Sequence, residues 1–337
     1  MNYRRKIGIH FQNFFDRKDP VPKKDPPKEI ESIFVLAQEK LGDAILLFPF
    51  LNHFHKMFPE TKIDIGCTSY NRKIFEQISF VNKCISYRPI NYDFINLIKK
   101  ENYTVFYNPK SGLSTTFQRI AKTIQAEHKI CLSNNDHNHL YSFHLTNSKK
   151  KHILLKYCEL IHFYNKNEKI KNWLPSHFYD EKNSIKLKNY VCLNLSSGSR
   201  KRRWKSDRWK VIVRYILNKS KKIQLAIFAQ KKQNRLAKSI QKIDPERIHY
   251  PLNSPSIMEA SKYIHKSKLL ISLDTSLVHI AAAQQTPIVA LYTNDESNYI
   301  RYAPFSERKK DIISNTSLIE DIDPHEVIHA VDTLLFN

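Results

Sequence analysis

The sequence predicts an α/β protein made of two Rossmann-like, doubly wound domains facing a central cleft. Its 337 residues exceed one ordinary domain and fit two of about 150 to 170 residues. Short runs rich in β-branched and aromatic residues alternate with amphipathic stretches, which is how βαβ units and parallel sheets read. The alternation halts in a polar loop and then restarts with the same grammar. With 41% hydrophobic and 12% aromatic residues the chain can bury two cores, so a disordered or collagen-like polypeptide is excluded.

Residues 1 to 30 form a basic, aromatic extension that runs into a Pro/Lys linker, DPVPKKDPPKE, a composition that resists helix and sheet alike. Ile7, Phe11, Phe14 and Phe15 would make one apolar stripe flanked by cations, which suits an interfacial helix on anionic lipid. A frayed tail, or a helix packed on the protein's own body, is the alternative. Residues 31 to 165 read as the first domain, with strands at IFVLA (33 to 37), KIDIGC (62 to 67), CISY (84 to 87) and YTVFY (103 to 107). Leu47, Phe50, Leu51, Phe54 and Phe58 stand at helical spacing, and Pro49 is tolerable because it falls inside the first two turns. The polar stretch SNNDHNHLYSFHLTNSKKK precedes a helical pattern at 152 to 164.

Residues 166 to 188 read as the interdomain linker and 189 to 337 as the second domain. Its strands are expected at YVCLNL (190 to 195), IQLAIFA (223 to 229), KLLISL (268 to 273) and PIVALYT (287 to 293). Helices are expected around 206 to 218, 231 to 242, 256 to 266 and 277 to 284. Ligands of such sheets bind beyond the carboxyl ends of the strands, which directs attention to the loops after 37, 195, 229 and 273.

No run approaches the ~18 apolar residues of a membrane span, and the start lacks a signal-peptide core and cleavage site. A soluble, cytoplasmic protein is expected. Cys67, Cys84, Cys131, Cys158 and Cys192 are scattered and never form a CxxC, so they read as buried thiols in a reducing compartment. The 15 histidines show no HExxH or Cys/His ligand spacing, and neither metal nor cofactor is expected. The formal net charge of +23 calls for an anionic partner: nucleic acid, an acidic membrane face or a phosphorylated substrate. Compositional drift, with five glycines beside abundant Lys, Asn and Ile, is the bland alternative.

Three loops carry chemistry. In AQEKLGDAI (37 to 45) a strand ends, Gly42 permits close approach and Asp43 opens a helix; the carboxylate is either a general base or an N-cap. In LSSGSRKRRWKSDRW (195 to 209) the hydroxyls of Ser196 and Ser197 precede Arg200, Lys201, Arg202, Arg203 and Lys205. Hydroxyls, free N–H groups and guanidinium forks suit phosphate oxygens, although a solvated basic loop or a nucleic-acid contact reads the same way. In SLDTSLVHIAAAQQTPIVALY (272 to 292) a buried strand ends at Asp274, and a helix beginning at Thr275 or Ser276 turns its positive end outward, an anion site. His279, one turn in, is a packing residue or a catalyst.

Taken in order, these runs resemble bacterial glycosyltransferase family 9, the lipopolysaccharide core heptosyltransferase family. FVLAQEKLGDAILLFPFLNHFHKMFPETKIDI is similar to the family's opening, with its Gly-Asp pair at a helix start. LLISLDTSLVHIAAAQQTPIVALY resembles its Asp-[Ser/Thr]-Gly-x-x-His signature, and SSGSRKRRWKSDRW its Lys-x-Trp phosphate loop. The resemblance covers about residues 32 to 305 and implies a GT-B fold, with the acceptor held mainly by the first domain and the nucleotide sugar by the second. It implies an inverting, metal-independent transfer of heptose from ADP-heptose to the inner core of lipopolysaccharide, with Asp43 as the base. The loop of Lys40 and Gly42 then lies on the acceptor side. Ser196, Ser197, Thr275, Ser276, Leu277 and a cation, Arg202 or its competitor Lys201, meet the diphosphate. Asp274 and His279 orient the loop and contact the donor.

Three positions depart from the family pattern. Arg202 stands where the family has lysine, Ser276 where it has glycine, and Gln233 where a glutamate would hold the ribose hydroxyls. A family member using another nucleotide sugar therefore stands beside the ADP-heptose enzyme. A nucleic-acid-binding protein working through RKRRWK is a third reading. It lacks an RRM, KH, zinc-finger or helix-turn-helix pattern, so no nucleic-acid partner is expected. The expected place is the inner face of the cytoplasmic membrane, where anionic lipid and acceptor phosphates attract a basic protein.

Overall fold

Residues 21–37, 39–87, 92–110, 112, 114–179, 187–253 and 255–336 are described by the structure, a computed structural model. The amphipathic stretch from Ile7 to Phe15 lies outside them. The chain makes two compact units. The first takes residues up to Lys40, Phe50–Ser148 and Leu155–Lys169, and the second takes Leu41–Pro49, Lys149–Leu154 and the chain from Ile170 onward. The helices, in chain order, are α1 (Leu41–Ile45), α2 (Phe48–Met57), α3 (Ser69–Phe75), α4 (Tyr92–Lys100), α5 (Thr115–Thr123), α6 (Ile153–Tyr157), α7 (Glu159–Tyr164), α8 (Ser206–Lys219), α9 (Asn234–Gln241), α10 (Ile257–Lys266), α11 (Ser276–Ala283), α12 (Glu296–Tyr302) and α13 (Pro324–Val331).

In the first unit β1 (Ser32–Leu36), β2 (Lys62–Cys67), β3 (Val81–Ser86), β4 (Asn102–Asn108), β5 (Gln125–Leu132) and β6 (Phe143–Leu145) pair in the order β3-β2-β1-β4-β5-β6. Every pairing is parallel. The second unit repeats the pattern with β7 (Tyr190–Asn194), β8 (Gln224–Ala229), β9 (Ile248–Asn253), β10 (Leu269–Leu273), β11 (Ile288–Tyr292) and β12 (Lys309–Ile313), ordered β12-β11-β10-β7-β8-β9. In both sheets the strand order reverses beside the first strand of the unit, the doubly wound plan expected from the sequence.

The local chemistry explains where elements begin. Thr68 caps α3 by accepting from the Asn71 N–H, and Ser256 with Glu259 forms a reciprocal capping box on α10, each satisfying donors that a helix start leaves open. Pro49 falls in the first turn of α2, where its missing N–H has no helical partner to lose. The chain accordingly breaks between α1 and α2 instead of kinking within one helix. From Val21 onward the Pro/Lys linker forms neither helix nor strand, as its composition predicts, yet it is docked on the body of the first unit. The N–H groups of Val21 and Lys24 donate to the carbonyls of His139 and Ser142, and the Tyr164 hydroxyl donates to the Pro27 carbonyl at 2.8 Å.

A buried carboxylate helps fix the first sheet. Asp64 on β2 is fully enclosed and accepts from the Tyr103 hydroxyl at 2.8 Å and from Asn82 Nδ2 at 2.6 Å. In the second unit the short segment Lys149–Leu154 is held by His152. Its Nε2 lies 2.9 Å from the Ala303 carbonyl and its Nδ1 3.2 Å from the Leu154 N–H. A carbonyl only accepts and an N–H only donates, so the ring carries its proton on Nε2 and is neutral. Burial pushes its pKa down to about 4.

Two outcomes follow for stability. A Cβ added at Gly66 would lie 2.7 Å from the ring of buried Phe34 and 3.1 Å from Leu36, so Gly66→Ala should cost about 1 to 3 kcal/mol, read as a lower urea midpoint; an unchanged midpoint would refute this packing. Because His152 is less basic when folded than when unfolded, its contribution is complete above the usual pKa of 6.5 and is lost as pH falls from there toward 4. Unfolding free energy measured at pH 7 and pH 5 should therefore fall less steeply in His152→Asn than in the parent, and equal slopes would show that the ring titrates freely.

Candidate active site

The site is built at the strand-order reversal of the second sheet. There β7 and β10 run side by side, Leu193 opposite Ile271 and Asn194 opposite Ser272, so both strands deliver their carboxyl ends to one level. Asn194 spans them. Its Nδ2 donates to Ser272 Oγ and Thr275 Oγ1, both at 2.9 Å, and its Oδ1 accepts the Ser196 N–H at 3.1 Å. Thr275 is the N-cap of α11. Its backbone is extended, and its hydroxyl takes the Leu277 N–H at 3.4 Å. Ala281 and Ala282 are fully buried, which lets the helix lie close to the sheet and aim its positive end past Asp274. The first turn, Ser276 and Leu277, is where N–H groups lack helical acceptors.

Trp204 anchors the basic loop. It is buried, packs edge-on against Trp209 with ring centroids 5.1 Å apart, and donates from Nε1 to the Ile322 carbonyl at 3.1 Å. Two residues earlier, at the end of a 3-10 turn over Arg200–Arg202, Arg202 points to the end of β10. Its Nη1 lies 3.0 Å from Asp274 Oδ2, and its Nη2 donates to Asn298 Oδ1 at 3.3 Å. Lys201, its competitor, is exposed. The RKRRWK run is thus not one cationic surface, since Arg202 and Trp204 turn inward. Ser196 joins this loop to the one after β8 by accepting the Gln230 N–H at 2.9 Å. Ser197 donates to the Ser199 carbonyl at 3.2 Å. Gln233 follows in the 3-10 turn Lys231–Gln233 and is buried with its carbonyl oxygen unpartnered.

Helix α1 brings the remaining residues. It begins at Leu41, so Asp43 lies inside its first turn and is not an N-cap. The carboxylate is buried. Gly42 faces α11: a Cβ there would lie 3.6 Å from the His279 ring and 3.8 Å from Ser276 Cβ. This is ordinary contact, so the glycine is not required by crowding. His279 is buried with no partner for Nδ1. Burial, and then the neighbouring His152, push its pKa down to about 3. A ring this reluctant to charge packs and orients, and it stays uncharged at neutral pH. Lys40 is exposed and belongs to the first unit.

The fold therefore gathers Asp43, Gly42, Ser196, Arg202, Asp274, Thr275, Ser276, Leu277 and His279 within one unit, and leaves Lys40 and Lys201 at the surface. Sequence reasoning missed Asn194 and Asn298. Asn194 had a signal, a lone amide closing an otherwise apolar strand. Asn298 sits in a polar stretch, NDESNYIRY, that reads as an ordinary surface helix. Among the described residues no helix is long and apolar enough to cross a membrane.

The family model for glycosyltransferase family 9 (heptosyltransferase) matches residues 93–326. A curated Escherichia coli K12 protein named "Putative lipopolysaccharide heptosyltransferase 4" is 35% identical over 72 residues, which is 20% of this chain and 20% of that protein. Among solved structures, Escherichia coli heptosyltransferase WaaC with ADP-2-deoxy-2-fluoro heptose superimposes at a TM-score of 0.74, with 13% identity over 90% of this chain and 99% of that one. Escherichia coli ADP-heptose lps heptosyltransferase II gives a TM-score of 0.72, with 15% identity over 90% and 98%. At these identities the structural likeness shows the fold, GT-B, and the family match shows the kinship. The chain belongs to glycosyltransferase family 9, the heptosyltransferase family.

Proposed function

We propose that this glycosyltransferase moves heptose from ADP-heptose to the inner core of lipopolysaccharide, with inversion and without a metal ion. The observation that carries the reading is the placement of Asp43 beside the positive end of α11, where Arg202 also points. A base and an anion-binding surface are what a direct displacement needs together. Asp43 takes the proton of the acceptor hydroxyl as its oxygen attacks C1 of the sugar. The bond from C1 to the diphosphate breaks with its electron pair leaving on the phosphate, while the sugar passes through oxocarbenium-like character.

The departing charge is met by protein groups. Arg202 offers a guanidinium fork, Ser276 the N–H of a helix start, and Ser196 and Thr275 hydroxyls, while Leu277 and Ser197, whose donors are taken up by Thr275 and Ser199, must turn to the ligand on binding. Asp274 holds Arg202 in place through its 3.0 Å ion pair, and His279 keeps α1 seated on α11. The unpartnered Gln233 oxygen suits a ribose hydroxyl, because a buried acceptor left alone costs about 1 to 3 kcal/mol that a ligand donor would recover. The relatives' names support the donor, one being bound to an ADP-heptose analogue and another named for ADP-heptose. The net charge of +23 supports peripheral binding at the inner face of the cytoplasmic membrane, next to a phosphorylated lipid acceptor. The division into an acceptor-side domain at 31–165 and a donor-side domain at 189–337 is part of the same proposal.

The test is to incubate the purified protein with a deacylated inner-core acceptor and, separately, ADP-heptose and other ADP- and UDP-sugars, following nucleotide release and acceptor mass. One added heptose is expected only from ADP-heptose, unchanged by EDTA and reduced about 10²- to 10⁴-fold by Asp43→Ala. Full turnover in that variant would remove Asp43 as base, and transfer from another donor alone would change the substrate. Arg202→Ala should lower kcat about 100-fold, with Arg202→Lys restoring much of it. If Lys201→Ala is the damaging change instead, the phosphate cation has been misassigned.

A further inference from the structure

Helix α12 lies outside every motif in the sequence, yet one of its residues closes a ring of polar groups at the end of β10. Asp295 caps the helix by accepting the Asn298 N–H at 3.0 Å, so the backbone of Asn298 is held by the helix start while its side chain reaches elsewhere. Its Nδ2 donates to Asp274 Oδ2 at 2.9 Å, and its Oδ1 accepts from Arg202 Nη2 at 3.3 Å. Arg202 Nη1 completes the ring on the same carboxylate oxygen, at 3.0 Å. A carboxylate only accepts and a guanidinium only donates, so the amide fits one way round.

This ring sets how Arg202 distributes its donors. An arginine beside a carboxylate commonly turns two parallel N–H groups to it, because both bonds are charge-assisted. Here a neutral amide oxygen takes the second arm, and the two arms go to different residues. Nη1 also leans toward the Asp274 carbonyl, at 3.5 Å. Among the described residues, Nε and the second hydrogen of Nη2 bond no protein group. The Arg202 side chain is 34% exposed against 9% for Asp274, so an anion arriving at the ring meets the cation and not the carboxylate.

We infer that Asn298 is the positioning residue of Arg202: it holds the guanidinium across two partners and so keeps the Nε–H and one Nη2 N–H for the diphosphate. The inference rests on the reading of Arg202 as the cation that meets the departing diphosphate. When the bond from C1 breaks, its electron pair stays on the phosphate oxygen, and the added charge draws on those donors most at that moment. A lysine has one nitrogen and could not be divided between two residues in this way, so Arg202 and Asn298 work as a pair.

The experiment measures kcat, donor KM and ADP affinity by titration calorimetry for Asn298→Ala, Asn298→Ser, Arg202→Ala and the double variant Asn298→Ala with Arg202→Ala. ADP-heptose and the deacylated acceptor are the substrates, and urea midpoints establish folding. Asn298→Ala should lower kcat about tenfold and weaken ADP binding about threefold. Donor KM should rise no more than about threefold, because the charge on the diphosphate is greatest in the transition state. Asn298→Ser, too short to reach both partners, should behave alike. The double variant should be no slower than Arg202→Ala alone, since without the guanidinium the amide has nothing to orient. A folded Asn298→Ala or Asn298→Ser with parental kcat and ADP affinity would overturn the inference, as would losses that multiply in the double variant. Arg202→Ala separates the two readings. If it turns over normally, the assignment of Arg202 falls and this inference with it; if it is slow while Asn298→Ala is normal, only this inference falls.

Discussion

Two strands that never meet in sequence, β7 and β10, end side by side because the doubly wound plan reverses its strand order between them. Backbone pairing from Leu269 opposite Val191 to Ser272 opposite Asn194 fixes their common level, and the Asn194 amide then spends both its ends there. It ties Ser272 and the cap residue Thr275 on one side and the turn at Ser196 on the other. The first turn of α11, the basic loop and the end of β10 are consequently one rigid object. If this registration slipped by one residue, the side chains would exchange faces, and the amide would leave the cap, the turn and the helix start without a common partner.

The charges placed on this frame are chosen so that few stand alone. Asp274 is buried but shares its carboxylate between the Arg202 guanidinium and Asn298, which lowers the cost of excluding water from either ion. An arginine suits this place better than a lysine, because its planar fork serves Asp274 and Asn298 at once. The two histidines behind the site are neutral for the opposite reason: burial removes the water that would stabilise their charged forms. Positive charge at the site is thus carried by the Arg202 guanidinium and a helix terminus.

Much of this was legible in the residues. Central strands such as YVCLNL and KLLISL are continuous apolar runs because both faces are covered, and the Asp-Thr-Ser sequence ends one of them where an N-cap belongs. The strands that escaped notice are at or next to edges. FHL at β6 is short, IHYPLN at β9 contains Pro251 and KKDII at β12 carries lysines, all features that edges tolerate or use to stay unpaired. Beside β6, QAEHKICL at β5 mixes polar residues into its first half. The place of α1 was less accessible still. Its sequence follows β1 directly, yet its residues belong to the second unit, and no local periodicity encodes which unit a short apolar helix will join. Asn298 was hidden for a related reason: its partners Asp274 and Arg202 are far from it in sequence, and its own neighbourhood looks like solvent-facing helix.

The departures from the family pattern acquire a physical sense once these neighbours are known. Ser276 replaces a glycine at the start of α11, and its Cβ lies on the side that faces Gly42, at 3.8 Å from where a side chain there would begin. The extra atoms are taken up against a residue that has none, so the N–H of the helix start need not be screened by its own side chain. At Gln233 the loss of a carboxylate removes a charge that burial would have made costly without a cation beside it, while the amide keeps an acceptor in the same place and adds a donor. Both changes preserve hydrogen-bonding capacity and alter only charge or bulk. On the proposed reading, such a site holds a diphosphate through Arg202 and the helix terminus, and selects its donor by the shape and hydroxyls it can satisfy.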